Sequence, residues 1–179
     1  MDKEIITKLR KKLGYEDYHL VGPDRLREVY YGDYSKIIGV SSNKFCITNM
    51  EHPLVGTYGL GPCIAIAGLD KKTKTAFLSH NVAIKKLELL NDILFEMLRK
   101  KGIKEKDLEF YLVGGNEEYE EHAQKVEEYL KERIESPKIV YRDLIEKNDP
   151  RKMGKSLILD SRNGEIFCHN GISLFRENN

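Results

Sequence analysis

Two apolar runs of strand length, GPCIAIAGL at 61–69 and TAFLSHNV at 75–82, stand only five residues apart, and that spacing constrains the fold more than any other feature of the chain. The intervening Asp70-Lys71-Lys72-Thr73-Lys74 is polar and too short for a crossover, so the two runs are read as an antiparallel hairpin. With an even loop centred on Lys71-Lys72, Asp70 opposes Thr73 and residue i faces residue 143 − i, which sets Cys63 against His80. An odd loop or a bulge would break that register.

The pattern around the hairpin supplies the remaining elements. Residues 85–101, KKLELLNDILFEMLRKK, put Leu87, Leu90, Ile93, Leu94, Met97 and Leu98 on one helical face, with Gly102 placed to end the helix. EEYEEHAQKVEEYLKERI at 117–134 predicts a second amphipathic helix with a charged outer face. KFCIT from Lys44, FYLVGG at 110–115 and PKIVYRDL at 137–144 predict further strands. SLILDSRNGEIFCHNG predicts a closing hairpin through Asn163-Gly164, a dipeptide that tolerates the positive φ angles of a type I′ turn. A helix is expected over 3–13, with Ile5, Ile6, Leu9 and Leu13 on one face and Gly14 behind it. Five of the ten tyrosines follow between Tyr15 and Tyr34, in a stretch broken by Gly22-Pro23 and Gly32 that suits packing on the domain or a partner surface. Together these elements predict one α/β (α+β) domain over 36–179, a mixed or antiparallel sheet with hairpins flanked by two main helices, preceded by an extension over 1–35.

Composition narrows the function. Thirty basic and twenty-nine acidic residues leave a net charge of +1, so no bulk field argues for a nucleic acid or an anionic membrane. The longest apolar stretch, Cys63 to Leu69, is far short of the ~20 residues of a membrane span, and MDKEIITKLRKK lacks the apolar core of a signal peptide. A cytoplasmic protein without membrane insertion is expected. Its three cysteines, Cys46, Cys63 and Cys168, are an odd set, which argues against a disulfide framework and leaves at least one thiol free.

Most familiar chemistries find no support. GLG at 59–61 and VGG at 113–115 lack the glycine spacing and the Lys-Ser/Thr pair of a phosphate loop. Cys46, His52, Cys63 and His80 fall at no metal-ligand spacing, and the carboxylates crowd a solvated helix face. No cofactor or metal is called for. His52 and His169 are read as surface loop residues, and His122 as a residue of the charged helix. What remains is Cys63 with His80: a thiol opposite an imidazole is the core of cysteine-nucleophile catalysis, because the imidazole stabilises the thiolate and returns a proton to the leaving group. The competing reading is an inert core cysteine, since Cys63 opens an apolar run and cysteine is among the most buried residue types. Gly59 and Gly61 favour the chemical reading, because they let a substrate approach and turn amide N–H groups toward an oxyanion.

Thr57-Tyr58-Gly59-Leu60-Gly61-Pro62-Cys63-Ile64-Ala65-Ile66 resembles the CheD family of chemoreceptor glutamine deamidases, whose segment runs roughly T-x-G-L-G-S-C-V-A-V with a histidine after a hairpin. The resemblance extends through Ala76-Phe77-Leu78-Ser79-His80, the following helix, Val113-Gly114-Gly115-Asn116 and the hairpin Lys155 to Phe167, covering about residues 37 to 168. It implies a CheD-like cysteine hydrolase fold with Cys63 as nucleophile, His80 as general base and acid, and Thr57, otherwise a turn hydroxyl after Gly56, orienting the imidazole. By the same resemblance the chain deamidates glutamine side chains of a protein substrate such as a chemoreceptor. A non-catalytic CheD-like adaptor that binds a partner through the same surface is the alternative. Gly61, Gly114 and Gly115 are the expected substrate-binding positions, where a backbone without side chains lets a glutamine approach the thiol; tight packing is the competing role for the last two. Pro62 departs from the family's serine and removes one N–H beside the nucleophile, and FLSHNVAI lacks the family's methionine-rich or proline-bearing segment.

Overall fold

The protein is described, in a computed structural model, over residues 37–82, 84–115, 120–144 and 155–170. The N-terminal helix expected at 3–13, the tyrosine-rich stretch and the boundary at residue 35 lie outside the described residues. The strands are β1 (Ile37–Gly39), β2 (Lys44–Ile47), β3 (Leu54–Leu60), β4 (Ile64–Asp70), β5 (Thr75–Asn81), β6 (Glu109–Gly114), β7 (Lys138–Leu144), β8 (Lys155–Asp160) and β9 (Ile166–Asn170). The helices are α1 (Ile84–Lys100) and α2 (Glu120–Arg133), with a single 3-10 turn at Glu105–Asp107.

The strands form two mixed sheets, β1-β3-β8-β9 and β2-β5-β4-β6-β7. Both helices cover the outer face of the five-stranded sheet. The α/β architecture with flanking helices matches the expectation from sequence, and the structure adds the second sheet. The period-2 alternation of β4 explains the layering. Ile64 and Ile66 join Phe77, Leu90, Leu94, Phe95 and Leu130 in a core under the helices, whereas Cys63, Ala65, Ala67 and Leu69 face Val55, Leu157 and Leu159 across the gap between the sheets. Phe77, Phe95 and Phe110 meet edge to face at 6.0 to 6.3 Å on the helix side. Gly68 is required there, because a Cβ would stand 2.2 Å from the Phe77 ring.

α1 ends as its sequence requires. Gly102 takes φ +79°, its N–H donates to the Arg99 carbonyl, and that of Ile103 donates to the Leu98 carbonyl, a Schellman stop.

Both hairpins form, each with a turn that differs from expectation. In β4–β5 the pairs are Asp70 with Thr75 and Ala65 with His80, so partners sum to 145 rather than 143. The cause is Asp70, whose carboxylate accepts the Lys72 N–H at 3.0 Å and the Thr73 hydroxyl at 2.7 Å and so organises a four-residue loop over 71–74. A slip of two preserves which face every side chain occupies. In β8–β9 the last ladder pair is Leu159 with Ile166, and Gly164 alone of the loop residues has positive φ, at +75°. The loop is therefore longer than a two-residue type I′ turn, closed by the Gly164 N–H on the Asp160 carbonyl at 2.9 Å and by Arg162 on the Asp160 carboxylate. His169 belongs to β9 rather than to a loop.

Candidate active site

β3 carries the residue that sequence periodicity conceals. LVGTYGL reads as a turn because of its two glycines, yet it is an inner strand between β1 and β8. Thr57 is fully buried on it, its side chain in the gap between the sheets. The ladder to β8 then shifts between Thr57 and Leu60, where Gly59 adopts φ +72°, and the chain bends into the loop 61–63.

Across the gap, β5 presents His80, 3% exposed, with Nδ1 2.7 Å from the Thr57 hydroxyl oxygen. That hydroxyl also lies 2.6 Å from the Val40 carbonyl, which can only accept, so the threonine proton goes there. The hydroxyl must then accept from Nδ1–H. This fixes the tautomer and leaves Nε2 as the unprotonated nitrogen, and Nε2 is buried without a hydrogen-bond partner. Burial lowers the His80 pKa from 6.5 to about 4, against a smaller upward pull from the Val40 carbonyl.

Cys63 directly precedes β4. Its side chain joins the cluster between the sheets, 7% exposed, on the face that carries Ala65, the partner of His80. Cys63 is thus a diagonal neighbour of His80 rather than its direct opposite, a relation that places α-carbons about 7–8 Å apart and keeps long side chains in reach. Burial pushes the Cys63 thiol above its ordinary value. Burial thus acts on both members of the pair in the same sense, disfavouring the charged form of the thiol and of the imidazole. Cys46 and Cys168 are also free thiols. Burial lifts Cys46 to about 12 and raises Cys168 as well.

Three successive carbonyls around Cys63 are held from three directions. The Pro62 carbonyl accepts from His122 Nδ1–H of α2 at 3.3 Å, the Cys63 carbonyl from the Gly115 N–H at 2.9 Å, and the Ile64 carbonyl from Asn81 Nδ2 at 3.2 Å. Gly114 has φ +120°, and a Cβ there would stand 2.3 Å from the Cys63 carbonyl oxygen. Both glycines of the pair therefore lie beside Cys63 and pack on its backbone. Gly61 faces open space, with nothing within 4 Å of a Cβ built on it, and Pro62 is exposed.

Lys155 carries no sequence signal beyond its place in a hairpin. It is fully buried between the sheets in an ion pair with Asp143, whose second oxygen takes the Cys168 thiol at 3.8 Å. His52 stands apart from Cys63 and His80, in the β2–β3 loop, whereas Cys46, opposite Leu78, lies in the same cluster between the sheets as Cys63 and two places along β2 from Lys44, the partner of His80. Among the described residues, no group of three or more His, Cys, Asp or Glu is placed to hold a metal, and no helix is long and apolar enough to cross a membrane. The chain matches no protein-family model, and no curated protein is significantly similar to it.

Proposed function

We propose that the protein is a cysteine amidohydrolase of the cytoplasm that deamidates glutamine side chains of a protein partner, with Cys63 as nucleophile, His80 as general base and acid, and Thr57 fixing the imidazole. One observation carries this reading: the Thr57 hydroxyl commits its proton to Val40 and accepts Nδ1–H, so a buried, unsatisfied Nε2 lone pair stands on the face that Cys63 occupies. Native proteins seldom leave such an atom orphaned, and a base awaiting a proton is a physical reason for doing so.

Because burial disfavours the charged form of both groups, the reaction starts with proton transfer. Nε2 takes the thiol proton as Sγ attacks the carboxamide carbon. The resulting imidazolium gives a proton to the amide nitrogen, which leaves as ammonia, and an acyl-thioester remains on Cys63. Nε2 then activates water, which cleaves the thioester to glutamate and restores the thiol. Water is the only co-reactant, so the balance requires no cofactor.

The test is incubation of the protein with cell extract and a search for glutamine-to-glutamate conversion by mass spectrometry. The parent converts specific glutamines, and Cys63→Ala and His80→Ala each reduce the rate at least about 10⁴-fold. A parent that captures a partner and converts nothing is an adaptor instead.

A further inference from the structure

His122 has no part in the proton transfers above, yet its ring holds the peptide that precedes the nucleophile. A carbonyl oxygen only accepts, so in the 3.3 Å contact with Pro62 the His122 Nδ1 carries the proton. The carbonyl of Pro62 and the N–H of Cys63 belong to one peptide plane. In a trans peptide they point in opposite directions, and the chain has no cis bond among the described residues. Anchoring that carbonyl toward α2 therefore turns the Cys63 N–H away from α2. The next two planes are fixed as well, through Gly115 on the Cys63 carbonyl and Asn81 on that of Ile64. Pro62 contributes no N–H of its own, which leaves the Cys63 N–H as the donor adjacent to Sγ.

We infer that His122 is a positioning residue: its hydrogen bond to the Pro62 carbonyl orients the Pro62–Cys63 peptide so that the Cys63 N–H receives the oxyanion formed when Sγ adds to a carbonyl. The inference rests on Cys63 being the nucleophile. It does not depend on glutamine being the substrate. A flexible, glycine-bordered loop without this anchor would let the peptide rotate, and an oxyanion donor is effective only when it is oriented before the charge develops.

Two reactions of Cys63 separate this role from a structural one. Acylation by p-nitrophenyl acetate passes through a tetrahedral oxyanion, whereas alkylation by iodoacetamide displaces iodide at carbon and forms none. In the full-length protein, His122→Leu should slow acylation about tenfold or more, a part of the 10²–10³ lost with a whole oxyanion donor, and leave alkylation of Cys63, followed by peptide mapping, unchanged. His122→Asn, whose Nδ2 sits close to where the ring Nδ1 was, should restore acylation to within a few-fold of the parent. The inference is overturned if acylation is unchanged in His122→Leu, if both reactions fall together, if His122→Asn fails to rescue, or if Cys63 of the parent is not acylated at all. Normal acylation in a parent that releases no ammonia from protein glutamine would remove the deamidase reading alone.

Discussion

The two faces of β5 treat buried polar groups in opposite ways. Ser79 and Asn81 turn toward α1 and meet Asn91, and every polar atom there is engaged. The Ser79 hydroxyl donates to Asn91 Oδ1 at 2.6 Å, Asn91 Nδ2 donates to Asn81 Oδ1 at 2.9 Å and to the Leu87 carbonyl at 2.8 Å, and Asn81 Nδ2 reaches the Ile64 carbonyl. His80, between them in sequence, turns the other way and keeps one nitrogen unsatisfied. A buried polar atom without a partner costs about 1–3 kcal/mol. The same strand avoids that cost on one side and accepts it on the other. The satisfied side ties β5 to α1 and β4, and the unsatisfied side leaves an imidazole nitrogen without a partner.

The sharpest way to break this contrast is to damage the satisfied face. Asn91→Leu removes the donor to Asn81 Oδ1 and orphans that buried oxygen at about 2 kcal/mol, while the Ser79 hydroxyl keeps the Ile66 carbonyl at 3.3 Å as an acceptor. Urea unfolding should show a loss of about 2 kcal/mol, while the folded fraction keeps Cys63 reactive toward iodoacetamide. A loss below about 1 kcal/mol would mean the network is dispensable, and the two faces would no longer differ in kind.

The unsatisfied face makes its own prediction through pH. His80 has a pKa of about 4 in the folded chain and an ordinary 6.5 when exposed. Between those values the unfolded state binds the extra proton, so stability rises with pH there. Its contribution is complete above about pH 6.5 and is lost as pH falls toward 4, amounting to about 3 kcal/mol. Asp160, held below the usual carboxylate range by Arg162 against the opposing effect of burial, adds its own loss at lower pH. The informative quantity is the difference between the parent and His80→Gln, measured by urea unfolding at pH 7 and 4.5. A difference that stays flat would place His80 in water-like surroundings and dissolve the contrast.

Periodicity made most of this fold legible. Both helices, the strands around Cys46, Cys63, His80, Phe110 and Tyr141, and the C-terminal hairpin follow from spacing two or spacing three and four. β1 and β3 were not legible. β1 has only three residues, and Gly56 and Gly59 disguise β3 as a turn, although Gly56 is buried in pairing with Gly39 and Ile158 and only Gly59 bends the chain. Parity is more robust than register: the Asp70-capped loop moved the pairing by two residues and left Cys63 and His80 on one face. The burial of the pair was hidden because it depends on the second sheet, which covers the face that Cys63 and His80 share. Lys155 and His122 were hidden for a related reason. Their partners Asp143 and Pro62 are remote in sequence, and no local pattern encodes such contacts.

Thr57 tests the smallest and most specific part of the comparison, namely how one face of β5 keeps its free nitrogen in the right state. Its hydroxyl accepts Nδ1–H and so selects the tautomer that leaves Nε2 basic. The Val40 carbonyl lies close enough to influence the same ring, so it can hold the Nδ1 proton in part when the hydroxyl is gone. Thr57→Ala should therefore fold and deamidate about tenfold more slowly, well short of the loss on removing His80 itself. Thr57→Ser retains the oxygen and should be close to the parent. Nitrogen chemical shifts of the His80 ring would show the cause directly, as a fall in the population protonated at Nδ1 in the alanine variant and none in the serine variant. An alanine variant as active as the parent, with the ring shifts unchanged, would leave Val40 as the group that sets the tautomer and reduce Thr57 to a buried strand residue.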